Sequence, residues 1–140
     1  MSGKFFLDTN VFVYSLDVTA PGKARRAAEL IRDGLETRNG IVSYQVVQEF
    51  FSVAFTRFVR PMSPFAAEEY LSTVFRPLLT VHSSPALFVS ALQLHHQHRL
   101  SWYDSLIVAA AREAGCELLY SEDLQHGRTF HDLRIENPFQ

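Results

Sequence analysis

Four carboxylates stand where side chains that do chemistry tend to stand. Asp8 follows the apolar run Phe5-Phe6-Leu7 and leads into Thr9-Asn10. Glu49 lies in an amphipathic stretch beside Phe50-Phe51, Asp104 closes Ser101-Trp102-Tyr103-Asp104, and Asp123 closes Tyr120-Ser121-Glu122-Asp123. Carboxylates gathered within a few Å repel one another and raise each other's pKa. A hard divalent cation relieves that repulsion, and all-oxygen ligation favours Mg²⁺ or Mn²⁺. A site of this kind lowers the pKa of a bound water and polarises a phosphodiester.

Each acid also has a plainer reading. Asp8-Thr9-Asn10 has the chemistry of a turn that caps a following helix. Ser101 to Asp104 has the form of a capping box with Asp in place of Glu. Yet Asp104, Val108 and Ala111 fall at i, i+4 and i+7, with Ile107 adjacent, which puts this carboxylate at the head of a buried stripe. The helix dipole favours an acid there, so the two roles are compatible. Glu49 reads otherwise as a surface residue at the border of an apolar arc. Asp123 reads otherwise as a cap for a turn in the next loop, and in extended backbone its neighbour Glu122 points elsewhere.

Strands and helices alternate along the chain. Phe5-Phe6-Leu7 is short, wholly apolar and bounded by polar residues, as a strand buried on both faces would be. A helical turn over Val11–Leu16 and a loop at Asp17–Gly22 follow. Lys23–Glu36 is helical, Ile41-Val42 is a strand, and Tyr44–Phe58 is an amphipathic helix with Ser43 as its N-cap. Ser63-Pro64 restarts a helix that runs to about Phe75. Further strands are expected at Pro77–Val81, Glu117–Ser121 and Leu133–Glu136, and further helices from Pro85 to His98 and from Trp102 to Ala114, with a polar loop after Asp123. The alternation predicts an α/β fold with a largely parallel sheet, in one domain spanning residues 1–140. In such sheets strand C-termini and helix N-termini share one rim, and ligands bind there. All four acids would gather on that rim.

Other chemistries are missing. The six Gly are scattered, so neither a Walker A loop nor a dinucleotide fingerprint is present. Zincin and nucleophile-elbow motifs are absent. His95 and His98 lie three apart in a His-rich tract, but no further ligand is obviously paired with them. The single Cys116 excludes an intrachain disulfide and reads as a small core residue. A net charge of −2 neither advertises nor forbids a nucleic-acid partner. No apolar run approaches the ~18 residues of a membrane span, and the N-terminus lacks a signal-peptide pattern. The expected setting is therefore cytoplasmic, with no membrane partner.

Taken in order, Asp8-Thr9-Asn10, Glu49, Trp102-Tyr103-Asp104 before an Ala-rich helix, and Ser121-Glu122-Asp123 resemble the PIN-domain nucleases. The ending from Tyr120 to Phe139 is similar, more narrowly, to the VapC toxins of bacterial toxin–antitoxin pairs. The resemblance implies a three-layer α/β/α sandwich and Mg²⁺- or Mn²⁺-dependent endoribonuclease activity. It implies Asp8, Glu49, Asp104 and Asp123 as catalytic, metal-holding residues. Thr9 or Ser121 would be the accessory hydroxyl and Asn10 its polar neighbour. Asp123 is preferred to Glu122 as the fourth acid because Ser121-x-Asp123 matches the family's Thr-x-Asp, and Glu122 would then be an accessory, outer-shell partner. Partners implied are an RNA substrate, a small antitoxin whose C-terminal segment occupies the site groove, and a second copy in a homodimer. Phe55, Phe58, Phe65 and Phe75 permit an apolar interface for the last.

Lys23, Arg25, Arg26, Arg32, Arg57 and Arg60 are candidates for holding RNA backbone, and Trp102 or Tyr103 for stacking a base. Two rival readings are a PIN-like interaction module that no longer catalyses, and a Mg²⁺-dependent phosphatase of the haloacid-dehalogenase type. The phosphatase wants a second Asp two residues after the first, where this chain has Asn10.

Overall fold

Phe5, Phe6 and Leu7 form β1 (Phe5–Leu7) at the centre of the sheet in a computed structural model that describes residues 3–140. Helix α1 (Thr9–Ser15) follows at once, then α2 (Pro21–Thr37), β2 (Gly40–Ser43) and α3 (Tyr44–Thr56). Helix α4 (Pro64–Tyr70) runs through a π-helical turn at Leu71–Phe75 into the short α5 (Arg76–Leu78). The chain continues as β3 (Leu79–Val81), α6 (Pro85–His98), α7 (Trp102–Glu113), β4 (Leu118–Tyr120), β5 (Thr129–Phe130) and β6 (Leu133–Glu136).

The sheet order is β3-β2-β1-β4-β6-β5. Every pairing is parallel except β5 with β6. The chain winds outward from β1 through β2 to β3, then crosses back to add β4 on the other side. Right-handed crossovers put the helices of these two halves on opposite faces. The result is the expected three-layer α/β/α sandwich. Both strands beside β1 are parallel to it, and Phe6 and Leu7 are fully buried. Their unbroken apolar pattern follows from that placement.

Three local expectations change. Pro77 and Leu78 are helical, so the third strand begins only at Leu79. In a continuous α-helix the ring of Pro77 would clash with the carbonyl of Thr73; the wider π turn immediately before it avoids that clash. Ser43 occupies the N-cap position of α3, but its hydroxyl caps nothing and is buried without a hydrogen-bond partner among the described residues. The loop after Asp123 holds β5, a two-residue strand whose Phe130 is buried and whose Thr129 is exposed.

The Phe-rich composition builds the core between α1, α3 and the helices after it. Phe50 stacks on Tyr70 with ring centroids 4.8 Å apart, and Phe75 meets both Phe12 (4.9 Å) and Phe50 (5.2 Å). Phe75 is therefore core and not available to an interface between copies, whereas Phe55 and Phe65 are exposed. Among the described residues no helix is long and apolar enough to cross a membrane.

Candidate active site

The backbone N–H of Asp8 donates to the carbonyl of Tyr120 (3.1 Å), extending the β1–β4 ladder by one residue and placing Asp8 at the carboxyl edge of the sheet. Asp8 is also the N-cap of α1, so the turn-and-cap reading holds at the same edge of the sheet. Oδ1 accepts from the Thr9 backbone N–H (2.7 Å) and Oδ2 from the Ser121 hydroxyl (2.8 Å). Asp8 is only 7% exposed. Burial pushes its pKa from 3.8 up to about 6; the Ser121 and Thr9 bonds oppose the rise, and the charges of Glu49 and Asp123 add to it.

The other three acids line the same cleft of about 950 Å³. Glu49 projects from the middle of α3, and its Oε1 accepts from the Thr9 hydroxyl (3.2 Å) and from Gln45 Nε2 (3.1 Å). Asp123 follows β4, and its Oδ2 accepts from Asn10 Nδ2 (2.9 Å). Asp104 sits in the first turn of α7, where its backbone N–H donates to Ser101 Oγ (3.1 Å). The capping box is thus half made: among the described residues the Asp104 carboxylate accepts no hydrogen bond back. Thr9 and Ser121, alternatives in sequence, serve two acids at once, Thr9 on Glu49 and Ser121 on Asp8.

Adjacent in sequence, Glu122 and Asp123 part in space. Glu122 turns away from the cleft and takes the Tyr14 hydroxyl (3.1 Å) and Lys23 Nζ (3.3 Å). Lys23 also sits 4.5 Å above the Tyr14 ring, so this candidate RNA contact is engaged in a brace between α2 and the start of the loop after β4. The divergence predicts unequal mutants. Asp123→Asn should cost the nuclease activity that the resemblance implies at least about 10-fold, whereas Glu122→Gln, which loosens a partly exposed ion pair, should stay within about threefold. Rates on one RNA substrate for the two variants decide it.

The remaining basic candidates also divide. Arg57 and Arg60 line the cleft, beside an apolar wall that includes Val53, Phe58 and Val59. Arg25, Arg26 and Arg32 do not line it: they lie on α2, and Arg26 reaches the Pro138 carbonyl (3.4 Å) and Glu29 (3.8 Å). Trp102 is half-buried against Phe88 and His95, while Tyr103, 65% exposed, stands at the cleft. His95 Nδ1 bonds the Leu100 carbonyl (2.6 Å) and His98 packs on Phe130. Burial of Cys116 pushes its thiol up to about 12, which suits a core residue.

Two cleft residues escape a reading of the sequence. Gln45 falls on the polar side of its helix; its spacing of four from Glu49 is the one available signal. Asp17 lies in a loop with no motif, and its carboxylate is taken by the Thr19 backbone and hydroxyl.

Among the described residues none of the four acids pairs with Lys, Arg or His. Four oxygen-donor carboxylates without a cationic partner, one of them with a raised pKa, fit a hard divalent cation in chemistry. They do not converge on one point: no three His, Cys, Asp or Glu among the described residues are close enough to hold an ion as they stand. Oxygens of Asp8, Glu49 and Asp123 are instead turned to Thr9, Asn10, Gln45 and Ser121.

The fold has known counterparts. A chain of a toxin–antitoxin complex from Klebsiella pneumoniae superposes with a TM-score of 0.67 at 14% identity, covering 96% of this chain and 98% of that one. FitAcB from Neisseria gonorrhoeae gives a TM-score of 0.65 at 20% identity, with 96% and 98% covered. VapC20 of Mycobacterium tuberculosis, a sarcin-ricin loop cleaving toxin, gives 0.58 at 22% identity, with 86% and 90% covered. No curated protein matches by sequence. Residues 5–130 match the family model of the PIN domain. With that match spanning most of the chain and the acids gathered at the sheet's carboxyl edge, the chain belongs to the PIN-domain family of nucleases.

Proposed function

We propose that this chain is a divalent-metal-dependent endoribonuclease and the toxin member of a toxin–antitoxin pair. The observation that carries the reading is the cleft lined by Asp8, Glu49, Asp104 and Asp123, whose charges meet no protein cation among the described residues. PIN nucleases generally use divalent metals, and similar folds occur in a toxin–antitoxin complex and in a toxin that cleaves the sarcin-ricin loop.

In this reading Asp8, Asp104 and Asp123 hold Mg²⁺ or Mn²⁺, with Glu49 as a further ligand or as the residue that orients the attacking water. When bound, the cation lowers the pKa of that water and polarises the phosphodiester for in-line attack. Ser121 and the Thr9 backbone fix the Asp8 carboxylate, and Thr9 and Gln45 fix Glu49 through one oxygen, leaving Oε2 for the cleft. Asn10 does the same for Asp123. Arg57 and Arg60 supply backbone contacts for RNA. Among the described residues no Lys or His is hydrogen-bonded to the acids, so protonation of the leaving oxygen falls to solvent. A small antitoxin protein and a second copy of the chain complete the proposed assembly.

The test is cleavage of RNA by the purified protein with Mn²⁺, its loss in EDTA, and Mn²⁺ binding by calorimetry. Cleavage that survives EDTA, or the absence of both cleavage and Mn²⁺ binding, overturns the reading.

A further inference from the structure

We propose that Gln45 is a positioning residue that ties Glu49 to the helix carrying Asp104. The inference rests on the proposed metal-dependent function of the cleft. Gln45 lies one turn before Glu49 on α3 and lines the same cleft. Its Nε2 donates to Glu49 Oε1 (3.1 Å) and to the carbonyl of Tyr103 (3.2 Å), the residue next to Asp104 in the first turn of α7. One amide nitrogen thus joins two helices that come from the two halves of the sheet's winding.

The chemistry of the position selects an amide. Both partners, a carboxylate and a carbonyl, are pure acceptors, so two N–H donors must face them, and that fixes which way the amide points. Glu would offer no donor and would add an anion beside Glu49. Lys would bring donors with a full positive charge, competing with a cation for the acids. Gln spans both acceptors without charge. It also shares Oε1 of Glu49 with the Thr9 hydroxyl, so the carboxylate is held by one oxygen from two sides while Oε2 stays unclaimed among the described residues. Mutation of groups that orient metal-holding side chains in this way typically costs about 10–100-fold in metal affinity or activity.

The experiment compares wild type, Gln45→Met and Gln45→Ala, with Gln48→Met on the exposed side of the same helix as control. Mn²⁺ affinity is measured by calorimetry, kcat and KM on one RNA, and thermal unfolding with and without Mn²⁺. Both Gln45 variants are expected to bind Mn²⁺ about 10-fold more weakly. They should lose kcat with little change in KM, keep the metal-free Tm, and gain less Tm from Mn²⁺ than wild type. Gln48→Met should match wild type throughout. If wild type binds Mn²⁺ and cleaves RNA but the Gln45 variants equal it, the positioning role is wrong and the proposed function stands. A loss of metal-free Tm in both variants without any loss of Mn²⁺ affinity also overturns it, by showing a purely structural residue. If wild type itself neither binds Mn²⁺ nor cleaves, the proposed function falls first and this inference with it.

Discussion

Asp8→Asn is expected to lose RNA cleavage more than about 100-fold, beyond what an outer-shell partner costs, while gaining stability in the absence of metal. The two effects share one cause. The ionised carboxylate is buried near Glu49 and Asp123, which is why its pKa stands at about 6. A group whose folded pKa lies above its unfolded value binds a proton more tightly when folded. Stability of the metal-free protein therefore falls as pH rises from about 4 to about 6, by up to about 3 kcal/mol, and stays at the lower level above that. Asn removes the charge and keeps the geometry: its oxygen can accept the Thr9 N–H and its amide can donate to Ser121 Oγ. The variant should show no such decline over pH 4–6 and should melt above wild type at pH 7. Mn²⁺ should raise the Tm of wild type and leave the variant unmoved. Thermal melts across pH, with and without Mn²⁺, check this beside the cleavage assay; a variant that melts lower than wild type at pH 7 would remove the argument from a buried charge.

Gly40→Ala is expected to destabilise the fold by about 3 kcal/mol or more, the upper end of overpacking costs, and to lower Tm by roughly 10 °C. A Cβ on Gly40 would lie 2.6 Å from Gly34 Cα and 3.1 Å from Gly34 C and Leu78 Cδ2. The obstruction is the backbone of α2, which a side-chain rotation cannot move. The two glycines let α2 pass directly over β2 after the short connection at Arg38-Asn39, where Arg38 takes a left-handed φ of 61°. Gly34→Ala is the control. Its Cβ would be 3.0 Å from Gly40 Cα, and Ala gains about 1 kcal/mol of helix propensity over Gly. Its net cost should be well below that of Gly40→Ala. Equal losses in chemical denaturation for the two would contradict the backbone-contact account.

The parts legible in the sequence are those set by local rules. The buried strand before Asp8 shows as an unbroken apolar run, and Ser63-Pro64, Ser84-Pro85 and Ser101 mark helix starts whose hydroxyls do accept the expected backbone N–H. What stays illegible depends on contacts distant in sequence or on irregular backbone. Pro77 reads as strand because its adjustment is a π turn, a feature without a periodic signature. Gln45 reads as surface because its second partner is a carbonyl 58 residues away. The separation of Glu122 from Asp123 needs the positions of Lys23 and Tyr14. Arg25, Arg26 and Arg32 share a charge with Arg57 and Arg60 but not a face of the protein; composition cannot distinguish them.

The central placement of β1 has a consequence in time. Asp8 meets Ser121, and Asn10 meets Asp123, across 113 residues each. During synthesis β1, β2 and β3 can pair once Val81 is made, when two of the four acids are in place. The free side of β1, and with it Ser121 and Asp123, waits for β4. Contacts this far apart in sequence form late. A ribosome making this chain therefore carries an unfinished acid cleft until residues 118–123 emerge, and the delay is written into the strand order.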